Sequence, residues 1–327
     1  MKHNVHRRSL ILGALGITGS MALPSFAQSY PAEHITIVVP YSAGGNTDVT
    51  ARRFAESLGH QLKVPIIIEN RPGGATNIAA AYVARAPKDG YTLLLAPGTM
   101  TSVNPYLFRS LPFRLQDFAP ITLITKQAFV LSSTRQLPIQ SLADLVAYAN
   151  SKAEGVTYGH VGTGSVTHIV GEWIASALGI KATGIPYKGV AQSTIDLVAG
   201  RIDLQIDGIS TAVPMHQAGK LRILASMGAE RSILPAGIPT FQEAGYPGMF
   251  GYAFFGLMAP AGTPEAVIST LHAASKAAMA TPEFNNYFAN KGEQPSPSPS
   301  PQHYVAHLNA EAERWGRILK PMNIQLD

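Results

Sequence analysis

Short runs of aliphatic and β-branched residues alternate with longer amphipathic stretches from position 35 onward. A short apolar run is typical of a buried strand, whereas an apolar stripe that repeats every three to four residues is typical of a helix. The resulting order of strand, helix, strand, helix and strand predicts a mostly parallel sheet with helices on both faces. The strands are expected at 35–39, 66–69 and 92–96, and the helices at 47–58 and 77–86.

The same alternation returns in the second half of the chain. Two similar sets of elements predict an α/β protein with two lobes, each built on its own sheet. In the second set, strands are expected at 157–159, 184–187 and 204–207, and helices at 166–178, 193–199 and 211–218.

Extended segments connect the two sets. Those at 119–124 and 129–132 would lead from the first lobe to the second, and one at 253–258 would carry the chain back. Helices at 264–280 and 302–319 would then pack on the first lobe. The expected division is lobe one from 28–125 together with 253–327, and lobe two from 126–252.

Proline alternates with serine in the segment 294–301. Because proline has no amide donor and a fixed φ, such a segment is predicted to run as an extended, polyproline-like spacer. We expect it to join neither a strand ladder nor a helix, and no functional role is assigned to it.

The first 27 residues have the layout of a secretory signal peptide. Basic residues precede an apolar run at 10–23, and small residues follow up to Ala27, so cleavage is expected before Gln28. The run is shorter than the roughly 20 residues that span a bilayer, which argues against a retained anchor. The chain is therefore predicted to reach the periplasm. The paired Arg7 and Arg8 leave open whether it uses the Sec or the twin-arginine route.

Charge and composition narrow the classes of function. Removing the predicted signal peptide, which carries three basic residues and no acidic one, lowers the formal net charge from +5 to +2. No later cluster of Lys and Arg remains, so a nucleic-acid partner is not expected. The chain has no cysteine, which excludes disulfides, thiolate metal sites and a cysteine nucleophile. Signatures of esterases, zinc proteases and phosphate-binding loops are absent as well, so we expect no enzyme, no cofactor and no metal.

Three glycine-rich loops, at 40–48, 71–77 and 162–168, follow predicted strands and precede predicted helices. Helix N-termini carry orphan amide donors and partial positive charge, so these loops are expected to bind anions without lysine or arginine. In open α/β sheets the ligand crevice lies beyond the carboxyl ends of the strands, where all three loops fall. The pattern predicts a site for a carboxylate or phosphate group.

Each loop also has a purely structural interpretation. Glycine relieves a tight turn, and Asn46, Thr76 or Ser165 would simply cap the helix that follows. Asp48 lies in a first helical turn, where it would complement the helix dipole.

Three further polar side chains each have two alternative interpretations. His168 would donate to a carboxylate or act as a capping residue, and Lys188 would either supply a positive charge near the crevice or be solvated. Asp207 ends a predicted buried strand and needs a hydrogen-bond partner, for which a ligand and a backbone amide are both candidates.

The order of short motifs along the chain resembles the Bug family, the solute-binding receptors of tripartite tricarboxylate transporters. The resemblance covers essentially all of the predicted mature chain. The motifs that carry it are Ile37-Val38-Val39-Pro40 with Gly44-Gly45 and Asp48, Glu69-Asn70-Arg71-Pro72-Gly73, Asp89-Gly90-Tyr91-Thr92-Leu93, Gly162-Thr163-Gly164-Ser165 with His168, Pro186-Tyr187-Lys188-Gly189, and Ala259-Pro260-Ala261-Gly262-Thr263-Pro264.

This resemblance implies a type II periplasmic-binding-protein fold, whose two lobes close over a carboxylated solute and pass it to membrane transporter subunits. Family members often have an aromatic residue and two prolines before the glycine pair, whereas this chain has Tyr41-Ser42-Ala43, so the solute preference is not transferable. The implied contacts are Tyr41, Ser42, Ala43, Gly44, Gly45, Thr47, Asp48, Gly98, Thr99, Thr163, Gly164, Ser165, His168 and Asp207.

Several alternatives stay open at this point. An enzyme on the same scaffold would turn over its ligand, and a signalling receptor would present the closed form to a sensor protein. Aliphatic di- and tricarboxylates and aromatic carboxylates such as terephthalate all suit loops that read a carboxylate. We expect a monomer, and the sequence does not decide whether its resting state is open or closed.

Overall fold

The computed structural model describes residues 30–44, 46–229, 231, 234–290, 293–322 and 326. The predicted signal peptide and its cleavage point lie outside these described residues. Within them, no helix has both the length and the apolar character needed to cross a membrane.

Three parallel strands begin the fold, with β1 (Ile35–Val39) in the middle and hydrogen-bonded to both of its neighbours. The apolar side chains of the two inner strands, at 35–39 and 92–97, are buried on both faces of the sheet, which explains their short apolar runs. The predicted order of elements is confirmed here. The elements are β1 Ile35–Val39, α1 Asn46–Leu62, β2 Ile66–Asn70, α2 Asn77–Ala84 and β3 Thr92–Pro97.

After β3 the chain forms a buried π-helical turn, Thr99–Val103, that continues into the short helix α3, Asn104–Leu107. Neither element was predicted from the sequence. The segment is too short for a helical period to show, and Pro105 at its start reads equally well as a turn.

One 17-residue strand, β4 (Phe118–Thr134), replaces the two extended segments expected at 119–124 and 129–132. The polar residues between them interrupt the apolar run, but the backbone stays extended because strands pair with it along its whole length. Its first part pairs with the antiparallel strand β9, Tyr252–Pro260. Its last part pairs with two strands of the second set, so β4 passes from one sheet region to the other.

The second set repeats the parallel arrangement, with β5 (Val156–His160) between β6 (Ala182–Pro186) and β7 (Leu204–Gly208). The predicted strands and helices are confirmed, whereas α4 and β8 were not expected. The elements are α4 Leu142–Ser151, β5 Val156–His160, α5 Val166–Leu178, β6 Ala182–Pro186, α6 Val190–Val198, β7 Leu204–Gly208, α7 Ile209–Gln217 and β8 Leu221–Ser226.

All main strands belong to one continuous sheet of order β2-β1-β3-β9-β4-β7-β5-β6, and β8 and a short strand β10 add to β4. The parallel strands of the two sets therefore lie on opposite sides of the long pair formed by β4 and β9. The C-terminal elements are α8 Glu265–Met279, α9 Pro282–Ala289, β10 Gln294–Pro295 and α10 Pro301–Met322.

The proline-rich segment does join a ladder, so the expectation of a free spacer is wrong. Gln294 and Pro295 pair antiparallel with β4, and the Ser296 amide donates to the Ile124 carbonyl at 2.9 Å. The amide of Ser298 donates to Thr122 Oγ1 at 3.0 Å. An edge strand presents its amides to a neighbour only at every second residue, so alternating prolines fall on the outward side and cost no ladder bonds.

Helix α10 was expected to pack on the first lobe, and its two halves join different cores. Tyr304 and Leu308 pack with residues of β3 and β9. Trp315 and Leu319 join the largest core, which contains α5, and the Trp315 ring lies 6.2 Å from that of Trp173. The helix therefore bridges the two sets of strands.

Candidate functional site

The predicted contact residues lie at the carboxyl ends of parallel strands of both sets, in the loops there and in the first turns of the helices that follow. In the first loop, Asp48 holds the backbone in place. The amide of Gly44, whose φ is +83°, donates to Asp48 Oδ2 at 2.9 Å. The side-chain amide of Asn70, at the end of β2, donates to Asp48 Oδ1 and to the Tyr41 carbonyl, each at 2.9 Å. Asn70 thereby ties the loop after β1 to the neighbouring strand.

Both Asp48 oxygens accept hydrogen bonds from the protein. In addition to the bonds described above, Arg52 Nε donates to Oδ2 at 2.9 Å. Burial opposes ionisation of Asp48, but the hydrogen bonds from Arg52, Gly44 and Asn70 outweigh it and lower the pKa of this carboxyl. Asp48 is thus a buried, ionised brace of the loop, as its position in the first turn of α1 indicated.

The tip of this loop is open to solvent. Ser42, Ala43 and Gly44 are exposed, and a Cβ built on Gly44 would meet nothing within 4 Å. Thr47 is half-buried, and Gly45 lies outside the described residues. A ligand can therefore approach the exposed backbone of the tip without displacing other side chains.

The first loop and the loop after β3 meet at Tyr41. A side-chain hydrogen bond joins Tyr41 and Thr99, and burial raises the pKa of Tyr41 to about 12. Gly98 lies against the ring of Phe254, which would be only 2.5 Å from a Cβ at this position. Glycine is therefore required here by a close approach of β9.

The loop after β2 contains consecutive residues with positive φ, including Ala75 at 48° and Thr76 at 80°. Thr76 does not cap α2 with its side chain, so the capping interpretation is wrong for this residue. Asn104 instead braces the loop, because its side-chain amide donates to the Ala75 carbonyl at 2.8 Å and to Asn77 Oδ1 at 2.7 Å. Sequence reasoning missed Asn104, and it quoted Asn70 only within a family motif.

In the second set, the loop after β5 has amides that are already paired. Gly162 N donates to His160 Nδ1 at 3.2 Å, and Gly164 N donates to His168 Nδ1 at 3.3 Å. Ser165 N donates to the Gly162 carbonyl at 3.1 Å. The expectation that these amides are unpaired is therefore wrong for these three residues.

Ser165 caps α5 as its residue type indicated, because its Oγ accepts from His168 N at 3.3 Å. Thr163 is exposed at the tip, whereas Gly164 is buried with φ at +78°. The tip thus offers the hydroxyl of Thr163 to the outside, while the base of the loop is fixed by its own hydrogen bonds.

The two histidine rings lie 4.5 Å apart beneath this loop. Burial lowers the pKa of His160 to about 4, helped by the neighbouring His168, and burial also lowers the pKa of His168. Both rings are therefore neutral at neutral pH. Because each Nδ1 accepts a hydrogen bond, the ring proton of each is on Nε2.

Asp207, the penultimate residue of β7, is a buried carboxyl group. Its Oδ1 accepts from Gly208 N at 2.6 Å, and the Thr211 hydroxyl donates to Oδ2. Burial outweighs these hydrogen bonds and raises the pKa of Asp207 to about 7. Of the two partners considered for Asp207, the structure shows the backbone amide. Lys188 is exposed.

None of the predicted contact residues is lysine or arginine. The groups at the loop tips are backbone amides and hydroxyls, which bind carboxylates by hydrogen bonding. A cavity of about 200 Å³ beside β4 and β9 shares no residue with these contacts. It is lined by Lys126, Gln127, Ala128, Ile209, Ser226, Gly228, Ala229, Leu234, Tyr252 and Gln294.

Comparison with known proteins places the chain in a family. Residues 50–324 match the model of the tripartite tricarboxylate transporter family receptor. BugT of Bordetella pertussis is 30% identical over 325 residues, which cover 99% of each chain. Among solved structures, Rpa4515 of R. palustris with adipate is 34% identical with a TM-score of 0.84, covering 91% of this chain and 100% of that one.

MatC from Rhodopseudomonas palustris with bound malate is 31% identical with a TM-score of 0.81, covering 89% of this chain and 100% of that one. These similarities confirm the predicted α/β class and the type II periplasmic-binding-protein fold. The chain therefore belongs to the Bug family of receptors of tripartite tricarboxylate transporters.

Proposed function

We propose that this protein is a periplasmic receptor that captures a small organic carboxylate between two lobes and delivers it to the membrane subunits of a tripartite transporter. The observation that carries the proposal is the exposure of Ser42 and Ala43 in the loop after β1 and of Thr163 in the loop after β5, which brings hydroxyl and backbone groups to the loop tips. Such groups suit an anion that must be released again, because they bind it without a buried ion pair.

The proposed solute class rests on two relatives. The similar structures of Rpa4515 and MatC hold adipate and malate, which are both aliphatic dicarboxylates. Aromatic carboxylates such as terephthalate remain in the proposal, because the loop tips read the carboxylate group and not the body of the solute.

We assign the contacts in two groups. Ser42, Ala43, Gly44 and Thr163 at the loop tips would touch the solute directly, and so would Gly45, which follows Gly44 in the chain. The remaining residues would shape the loops or contact the solute on closure, and they are Tyr41, Thr47, Asp48, Gly98, Thr99, Gly164, Ser165, His168 and Asp207.

The proposed cycle is closure about β4 and β9. Both strands run between the two sets of parallel strands, with lobe one from 28–125 and 253–327 and lobe two from 126–252. A solute that contacts both lobes only in the closed form shifts the population toward that form. No covalent step is part of this cycle, so the protein binds and releases its ligand unchanged.

A thermal-shift screen of residues 28–327 tests the proposal. The panel contains aliphatic dicarboxylates, citrate, aromatic mono- and dicarboxylates, amino acids and sugars. A ligand at 100 times its Kd should stabilise the fold by about 2.7 kcal/mol, which raises the Tm by a few degrees. We expect a shift with one group of carboxylates and full recovery of that ligand after incubation. A shift confined to sugars or a chemically altered ligand would refute the proposal.

A further inference from the structure

Leu326, near the C-terminus, is anchored to the segment that follows α3. Its amide donates to the Leu107 carbonyl at 2.7 Å, and its own carbonyl accepts from Arg109 N at 3.3 Å. These two bonds form a parallel bridge with Phe108 at its centre. The main chain of Leu326 is thus fixed to the part of the fold that leads out of β3.

The side chain of Leu326 reaches the other set of strands. A Cβ built on Gly164 would lie 2.2 Å from Leu326 Cδ1, so this methyl group occupies the space next to the Gly164 Cα. Leu326 also packs against the large core that contains α5 and the end of α10. Gly164 is buried as a result, although it lies in a loop.

Gly164 is therefore held on two sides. The Gly164 amide donates a hydrogen bond to His168 Nδ1 at 3.3 Å, and the side chain of Leu326 covers the Gly164 Cα. Since the backbone between Gly162 and Ser165 is closed by a further hydrogen bond, a shift of Gly164 would move the whole tip, including the exposed Thr163. The position of the tip thus depends on where Leu326 is anchored.

We propose that Leu326 is a positioning residue for the solute, which holds the loop from Gly162 to Ser165 in its binding conformation from the segment at Leu107 and Arg109. The expected effect of Leu326 on affinity rests on the proposed function, whereas its expected effect on the loop conformation does not. A bulky side chain at Gly164 would accordingly disturb the loop partly by displacing the Leu326 side chain.

The experiment compares Leu326→Asp and Leu326→Ala with Leu326→Met, which keeps an apolar side chain of similar volume. Ile195→Asp is the matched control, because Ile195 is 66% exposed on α6. Hydrogen exchange of the amides in 161–168 is measured without ligand. We expect exchange at least tenfold faster in the Asp and Ala variants, and unchanged exchange in the Met and Ile195 variants.

Affinity is then measured for the carboxylate that shifts the wild-type Tm most. At least tenfold weaker binding is expected for Leu326→Asp, with rescue in Leu326→Met. Unchanged loop exchange in both the Asp and Ala variants would overturn the proposal, as would faster exchange with unchanged affinity. Faster exchange in a protein that binds no carboxylate even as wild type would refute the proposed function and leave the loop contact standing.

A double variant guards against a Leu326→Asp chain that does not fold. Gly164→Ala places a methyl group against the Leu326 side chain. The loss of hydrogen-exchange protection that it causes in the loop should therefore be smaller when Leu326 is already alanine. Additive effects of Gly164→Ala and Leu326→Ala would show that the two residues are not coupled and would overturn the proposal.

Discussion

The side-chain amide of Asn70 lies 2.9 Å from Asp48 Oδ1 and 2.9 Å from the Tyr41 carbonyl, so a single group on β2 fixes both ends of the loop that follows β1. Asp48 in turn binds the Gly44 amide, which places the exposed tip. The geometry of the proposed anion-binding tip therefore depends on a residue that is not among the predicted contacts.

Replacing Asn70 by alanine should loosen this loop. Removing the donor leaves a buried oxygen of Asp48 with one partner fewer, which costs about 1–3 kcal/mol of folding free energy. Carboxylate affinity should fall about tenfold. Urea unfolding and calorimetric titration measure the two effects.

Gln136→Ala is the control for Asn70→Ala, because it removes an exposed side-chain hydrogen bond, to Val198, far from the loops in the fold. Stability within about 0.5 kcal/mol of the wild type is expected for the control. An Asn70→Ala protein with wild-type affinity would contradict the bracing role.

The close approach of Gly98 to Phe254 gives a prediction about packing. Gly98→Ala places a methyl group 2.5 Å from the ring, and such overpacking typically costs 1–3 kcal/mol. The cost should shrink in a Gly98→Ala/Phe254→Leu double variant, because the smaller side chain leaves room for the methyl group. Urea unfolding of the two single variants and the double variant measures the coupling.

Gly189→Ala is the matched control for Gly98→Ala, since a Cβ at Gly189 meets nothing within 4 Å. Its backbone φ of 177° is extended and suits any residue. If Gly98→Ala is no more costly than this control, the packing argument at Gly98 is incorrect.

Two buried groups should give opposite pH dependences of stability. Asp207 has its pKa raised from 3.8 to about 7 by burial, so its contribution is fully present below pH 3.8 and is lost as the pH rises through 7. His160 has its pKa lowered from 6.5 to about 4 by burial, so its contribution is present above pH 6.5 and is lost as the pH falls through 4. His168 shifts in the same direction as His160.

Between pH 4 and 6.5 these slopes oppose each other, each reaching at most about 1.4 kcal/mol per pH unit. Asp207→Asn removes one of them, so the unfolding free energy of this variant should rise with pH more steeply than that of the wild type. Urea unfolding at half-unit steps across this window measures the slope. Identical slopes for the variant and the wild type would show that Asp207 titrates at its ordinary pKa.

The helices and strands with a strong local pattern could be predicted, because the spacing of their apolar residues reflects which side chains are buried. The strand at 35–39 is a run of β-branched residues, the strand at 204–207 alternates apolar and polar residues, and the helix at 166–178 matches α5 at both ends. Some of the elements that were missed have weaker local patterns. Strand β10 is one of them, because its pairing with β4 uses the amides that its prolines leave free.

The candidate site likewise has features that the local sequence predicts and features that it does not. The glycine loops and the capping role of Ser165 follow from residue types at the ends of strands. The partners of the loop amides do not, since the rings of His160 and His168 serve as acceptors only because α5 folds back against β5.

The sequence by itself determined the order of the parallel strands and the helices between them, the α/β class and the positions of the glycine loops, because each of these depends on residues close together in the chain. Only the tertiary structure decided which groups hold the loops, such as Asn70 with Asp48 and Leu326 with Gly164. It also decided that α10 joins two cores. These contacts join distant parts of the chain, and their geometry depends on how the strands pair and the helices pack, which no local pattern records.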